Sequence, residues 1–79
     1  MTREEISNKV ISIVADTLCD DSVEIKEDTY LINDLDLGSM DVMAMMADLE
    51  ACFDIEIEES QIQKMVTVKD IVDFIEETI

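Results

Sequence analysis

Proline, tryptophan and histidine are absent, and Gly38 is the only glycine. Without histidine the chain lacks the side chain that ordinarily exchanges protons near neutral pH, and a serine nucleophile would have no imidazole base. A glycine-rich loop for nucleotide phosphates is excluded by the same composition. Cys19 and Cys52 are the only cysteines; they lie far apart and have no histidine beside them, so a zinc site lacks ligands and no metal site is expected. The aromatic residues are Tyr30, Phe53 and Phe74 alone, which leaves aliphatic side chains and methionine to fill a core. Basic residues are also scarce, 5 against 21 acidic ones, giving a net charge of −16 at pH 7. Such a field repels nucleic acid and anionic lipid, attracts basic protein surfaces and divalent cations, and weakens the compact state by self-repulsion. A merely soluble surface has the same charge, so partner steering needs further support. The apolar runs are too short to span a membrane and no signal-peptide pattern is present, so a reduced cytoplasmic protein is expected.

What remains is a chain of 79 residues, 48% of them hydrophobic, which is too apolar for the disordered class. One domain over residues 1–79 is expected, with marginal stability, because so small a domain buries little more than half of its unfolded surface. Thr2 followed by Glu5 is a capping-box pattern, and Ile6, Val10, Ile13, Val14 and Leu18 follow at helical spacing. A helix over residues 3–19 is predicted, ended by Asp20, Asp21 and Ser22. Periodicity then fails over residues 20–38, where Val23, Ile25, Tyr30, Leu31 and Ile32 are scattered among acids. A loop of that length needs anchors across the helices, and Leu35 and Leu37 are the candidates.

A second helix is predicted over residues 39–53, with Val42, Met45, Met46, Leu49 and Phe53 facing inward. Its apolar residues exceed one stripe, which leaves Met40, Met43 and Ala47 on other faces. Ile55 and Ile57 alternate with acids as in a strand, yet no partner strand exists, so residues 54–58 read as an extended linker. A short helical turn over residues 59–63 and a last helix capped by Thr67 and Asp70 complete the chain. That last helix places Val68, Ile71, Val72, Ile75 and Ile79 on one face, with Phe74 at its edge. The fold class is therefore all-α, with three main helices, one short one and a long loop between the first two.

Ser39 opens the second helix. Unpaired N–H groups and the helix dipole favour an anion there, so a phosphodiester on its hydroxyl would be well placed. Serine at a helix start is usually an ordinary N-cap, and position alone favours that reading over attachment. Asp34 and Asp36 match the first two positions of a calcium loop, but Gly38 comes one place early and Met45 stands where the twelfth-position Glu belongs, which excludes an EF-hand. With no base for Ser39 and little room for an enclosed cleft, an enzyme is not expected.

The run from Asp34-Leu35 through Ser39-Met40-Asp41, the segment Leu49-Glu50-Ala51-Cys52-Phe53-Asp54-Ile55-Glu56-Ile57, and Val66-Thr67-Val68-Lys69-Asp70 together resemble the acyl carrier protein family. The resemblance spans essentially the whole chain. It implies a four-helix bundle and a non-catalytic carrier, with 4′-phosphopantetheine from coenzyme A attached to Ser39 by a phosphopantetheinyl transferase. Acyl groups ride on the arm as thioesters, and fatty acid synthase-type and acyl-transfer enzymes dock through basic patches on a monomer. The second helix and the loop before it are implied to be the surface those enzymes read. Asp41, Asp48, Glu50 and Glu56 match its acidic positions, and Met40 and Met43 its exposed apolar contacts. Three residues depart from the family pattern: Gly38 where the residue before the serine is usually Asp, Ala44 where an acid is common, and Glu58 where Pro is frequent. The absent carboxylate is the one implied to help place magnesium during attachment.

An acyl chain in water exposes apolar surface at a cost of about 0.8 kcal/mol per CH₂. Met45, Met46, Leu49, Ile57, Ile62, Met65 and Ile71 are the candidate lining of a bundle that parts slightly to shelter it. Polyketide, aminoacyl or other specialised cargo is the alternative to fatty acyl groups. An acidic helical adaptor without a prosthetic group and an acidic mimic of nucleic acid are the alternatives outside the carrier class.

Overall fold

The computed structural model describes residues 2–18 and 24–79. The predicted end of the first helix at Cys19, the Asp20-Asp21-Ser22 stop and Val23 lie outside the described residues. Four helices follow in order: α1 over Arg3–Leu18, α2 over Ser39–Phe53, α3 over Glu59–Ile62 and α4 over Val68–Thr78. No strand occurs among the described residues, and α1 packs against both α2 and α4.

Local chemistry sets the helix ends. The Thr2 hydroxyl accepts the Glu5 N–H at 3.2 Å and starts α1. Thr67 and Asp70 form a reciprocal capping box on α4: the Thr67 hydroxyl accepts the Asp70 N–H at 3.3 Å, and the Asp70 carboxylate accepts the Thr67 N–H at 3.1 Å. That carboxylate also takes the Val66 N–H at 2.9 Å. Burial works against its charge, but these donors outweigh burial and hold Asp70 below the usual carboxylate range. At the far end of α2, Asp54 adopts the left-handed conformation at φ 54°, a role more often given to glycine.

The core collects Ile6, Val10 and Val14 from α1, Met45, Met46, Leu49 and Phe53 from α2, and Val68, Ile71, Val72 and Ile75 from α4. Each such side chain contributes about 1.5–3 kcal/mol when fully buried. Leu31, Leu35 and Leu37 reach the same core from the long loop, so that segment is anchored by three leucines. Ile57 in the linker after α2 joins them. Ile79 departs from the inward face expected for it: it follows the last turn of α4 and is 53% exposed.

The long loop is more ordered than a search for periodicity suggests. The Tyr30 carbonyl accepts the N–H groups of Asp34 and Leu35, and the Asp34 carboxylate returns a bond to the Tyr30 N–H at 2.9 Å. Backbone bonds then stitch the loop to the segment ahead of α4: Leu31 N–H to the Val66 carbonyl, 3.0 Å, and Val68 N–H to the Thr29 carbonyl, 3.1 Å. Arg3 pairs with Glu27 at 2.8 Å, Asp73 at 2.7 Å and Glu76 at 3.3 Å, tying α1, the loop and α4 together.

Candidate functional site

Gly38, in extended conformation at φ −80° and ψ 170°, is the N-cap of α2, and Ser39 is the first residue inside the helix. The Gly38 carbonyl accepts the Val42 N–H at 3.0 Å, which is the first bond of the helical ladder. Glycine has no side chain to cap the following N–H groups. Capping comes from the other direction: the Asp41 carboxylate accepts the Gly38 N–H at 3.3 Å. Ser39 stands one residue past the cap and does not hold the capping role. It is exposed, and its hydroxyl makes no hydrogen bond among the described residues. The ordinary N-cap reading of Ser39 therefore fails on geometry.

What surrounds that hydroxyl is specific. The N–H groups of the first turn lie beside it without intrahelical partners, and the positive end of the α2 dipole points the same way. An open cavity of about 490 Å³ adjoins it, lined by Ile32, Leu37, Gly38, Ser39, Val42, Met43, Glu59, Ile62 and Gln63. Loop, α2 and α3 thus converge on one hollow with the serine in its wall. A phosphate ester on Ser39 would meet backbone donors, and an arm beyond it would find a mostly apolar wall. The residues present fit a phosphopantetheine group.

The charge around the site is of one sign. Residues 27–63 contain eleven acidic side chains and no basic one. Asp41, Asp48 and Glu56 are exposed, and Glu50 is half-buried. Met40 is 87% exposed and Met43 52%, so the surplus methionines of α2 face water. Ala47 is exposed too, while Met45, Met46, Leu49 and Phe53 turn inward.

The seven residues expected to line an acyl pocket divide into two groups. Met45, Met46, Leu49, Ile57 and Ile71 are buried within the packed core, and shelter among them requires the helices to part. Ile62 and Met65 are half-buried, and only Ile62 lines the cavity beside Ser39. Ile32, Glu59 and Gln63 in that cavity had not been singled out from the sequence as pocket residues. Their proximity depends on where the one-turn α3 settles, and no local pattern reports that. Among the described residues no group of three or more Cys, Asp or Glu side chains is gathered as a metal site, and no helix is long and apolar enough to cross a membrane.

The family model for the phosphopantetheine attachment site matches residues 8–75. The chain is 43% identical over 76 residues to an acyl carrier protein of Prochlorococcus marinus, covering 96% of this chain and 95% of that one. It is 37% identical over 75 residues to an acyl carrier protein of Thermotoga maritima, covering 95% and 93% respectively. Among solved structures, an acyl carrier protein from Enterococcus faecalis superposes with a TM-score of 0.77 at 32% identity, covering 95% of each chain. A chain from Mycobacterium tuberculosis superposes with a TM-score of 0.87 over 94% of this chain and 99% of its own; at 23% identity that likeness concerns the fold alone. On its sequence and its fold together, the chain belongs to the acyl carrier protein family.

Proposed function

We propose that this protein is a non-catalytic carrier whose Ser39 bears 4′-phosphopantetheine, and that its single domain presents fatty acyl thioesters to a series of partner enzymes. The observation that carries the reading is the state of Ser39: exposed, inside the first turn of α2, one residue past the cap and with its hydroxyl unengaged. A structural serine at a helix start would be spent on the backbone. When bound, the group supplies a terminal thiol on a flexible arm, to which acyl groups are joined as thioesters.

The protein's own residues then have defined tasks. The Asp41 carboxylate fixes the Gly38 N–H and so sets the entry of the chain into α2, which orients Ser39 toward solvent. The backbone N–H groups of the first turn stabilise a phosphodiester negative charge. Met40 and Met43 offer polarizable, adaptable apolar contacts, which suits a surface that must fit several partners in turn. Asp41, Asp48, Glu50 and Glu56 supply charge for docking against basic patches on the transferase and on acyl-transfer and fatty acid synthase-type enzymes. Attraction of this kind speeds encounter and is screened over roughly 10 Å at 0.1 M salt, so docking weakens as salt is added. A monomer working in the cytoplasm fits these tasks.

Incubation with coenzyme A, magnesium and a broad-specificity phosphopantetheinyl transferase, followed by intact mass measurement, tests the assignment. The wild type gains one phosphopantetheine and Ser39→Ala gains none. A gain retained by Ser39→Ala moves the site elsewhere, and no gain with several transferases favours a helical adaptor without a prosthetic group.

A further inference from the structure

The start of α4 draws half of its capping from outside the helix. Four N–H groups at a helix start lack intrahelical acceptors. Those of Thr67 and Asp70 are satisfied within their own capping box. The other two, on Val68 and Lys69, donate to backbone carbonyls of the long loop, Thr29 at 3.1 Å and Glu27 at 2.7 Å. A local turn presents those carbonyls. The Thr29 N–H donates to the Lys26 carbonyl at 3.1 Å, and the Thr29 hydroxyl accepts the Lys26 N–H at 2.8 Å.

Glu27 works through both of its acceptors. Its carbonyl takes the Lys69 N–H, and its carboxylate takes Arg3 Nη2 at 2.8 Å. The guanidinium is itself seated on α4, because Nη1 pairs with Asp73 at 2.7 Å and with Glu76 at 3.3 Å. Arg3 is a planar fork with one prong fixed on the helix and the other offered to the loop. Apolar burial adds little hold over residues 24–30. Thr29 is buried but small, Tyr30 is exposed, and Ile25 rests half-buried against the core. Leu31, the next residue, is 1% exposed and marks where firm anchoring begins. A segment with few buried apolar contacts opens more readily than the core beneath it.

We propose that residues 24–30 form a strap that opens and closes over the start of α4 while the bundle stays folded. Glu27 is the catch and Arg3 the hook. With the strap closed, α1, the loop and α4 meet at one carboxylate, and the first turn of α4 is fully capped. With it open, the N–H groups of Val68 and Lys69 turn to water together, because a single turn carries both acceptors. The strap is independent of what Ser39 carries.

Amide hydrogen exchange, followed residue by residue by NMR on the whole protein in low concentrations of urea, reads the strap directly. Val68 and Lys69 are expected to share one opening equilibrium, more frequent than global unfolding and nearly independent of urea. Leu49, in the core, exchanges only through global unfolding and follows urea steeply. Glu27→Gln keeps the carbonyl and removes the charge. It should raise exchange at Val68 and Lys69 alike, by about two- to fivefold, the range for loss of a partly exposed ion pair. Arg3→Gln should give the same rise at these two amides, and the two substitutions combined should add nothing further there. Asp28→Asn, which removes the neighbouring exposed charge, should bring no such rise. Exchange at Val68 and Lys69 with the rate and urea slope of Leu49 overturns the strap, since the segment would then open only with the whole fold. Unchanged rates in Glu27→Gln, or an equal rise in Asp28→Asn, overturn the hook and the strap with it.

Discussion

Replacing Gly38 with Asp restores the carboxylate usual before the serine in the family, and the structure says what it should do to stability. A Cβ built at Gly38 meets only the Asp41 Oδ2, at 3.8 Å, an ordinary contact, and the extended backbone there suits any residue. Loss of unfolded-chain entropy favours the substitution by about 0.4–1 kcal/mol. A carboxylate at the helix N-terminus adds about 0.3–1 kcal/mol, and its oxygen completes the capping box of which Asp41 now supplies half. Against this stands repulsion from Asp41, about 1 kcal/mol for two charges 4 Å apart in water. The terms leave a change between roughly zero and 1 kcal/mol of stabilisation, at most several degrees in thermal midpoint for a domain of this size. Urea unfolding of Gly38→Asp beside wild type measures it. A loss of more than about 1 kcal/mol refutes the reasoning, because it would mean that the two carboxylates cannot share the site. The same variant should accept phosphopantetheine faster at limiting magnesium, and an unchanged rate there would show that Asp41 or Asp36 already performs the missing role.

Leu49 has no exposed surface, so Leu49→Ala is expected to cost about 2–5 kcal/mol by transfer and cavity terms, a large share of what a domain of this length has to lose; an unchanged urea midpoint would mean that the core is not packed as described. Asp70 is held below the usual carboxylate range, so its contribution is present above the unfolded value near 3.8 and is lost as pH falls through the folded value. Asp70→Ala should therefore cost about 1 kcal/mol at neutral pH, and the gap from wild type should close only below about pH 4; a gap closing between pH 6 and 5 would point to another group. Finally, added salt should raise the thermal midpoint, since self-repulsion of a −16 chain outweighs the ion pairs seen among the described residues; a falling midpoint would put the Arg3 cluster ahead of the repulsion.

The helices were legible because their signals are local. Apolar residues at helical spacing mark the helices, the pairs Thr2/Glu5 and Thr67/Asp70 set the starts of α1 and α4, and α2 begins and ends where its sequence indicates. The order within the long loop was not legible. Its bonds run from Leu31 to Val66 and from Thr29 to Val68, between backbone groups far apart in sequence, and backbone groups leave no residue signature. The position of Ser39 at the head of α2 could be read from the chain, but its freedom could not. That freedom follows from the helix taking Gly38 as its cap, one residue earlier than a capping serine requires, and the same residues would serve an ordinary cap. Ile32 reads as one more apolar residue scattered along the loop, and only the packed structure shows that it is left in water while Leu35 and Leu37 are buried.

The most direct test of the central claim is fragmentation mass spectrometry of the protein purified from its own host. The sequence offers five serines, at positions 7, 12, 22, 39 and 60, so the measurement has real alternatives to choose among. Phosphopantetheine is expected on Ser39 alone. Phosphopantetheine on any other residue, or a wholly unmodified chain from cells that modify their other carriers, would contradict it.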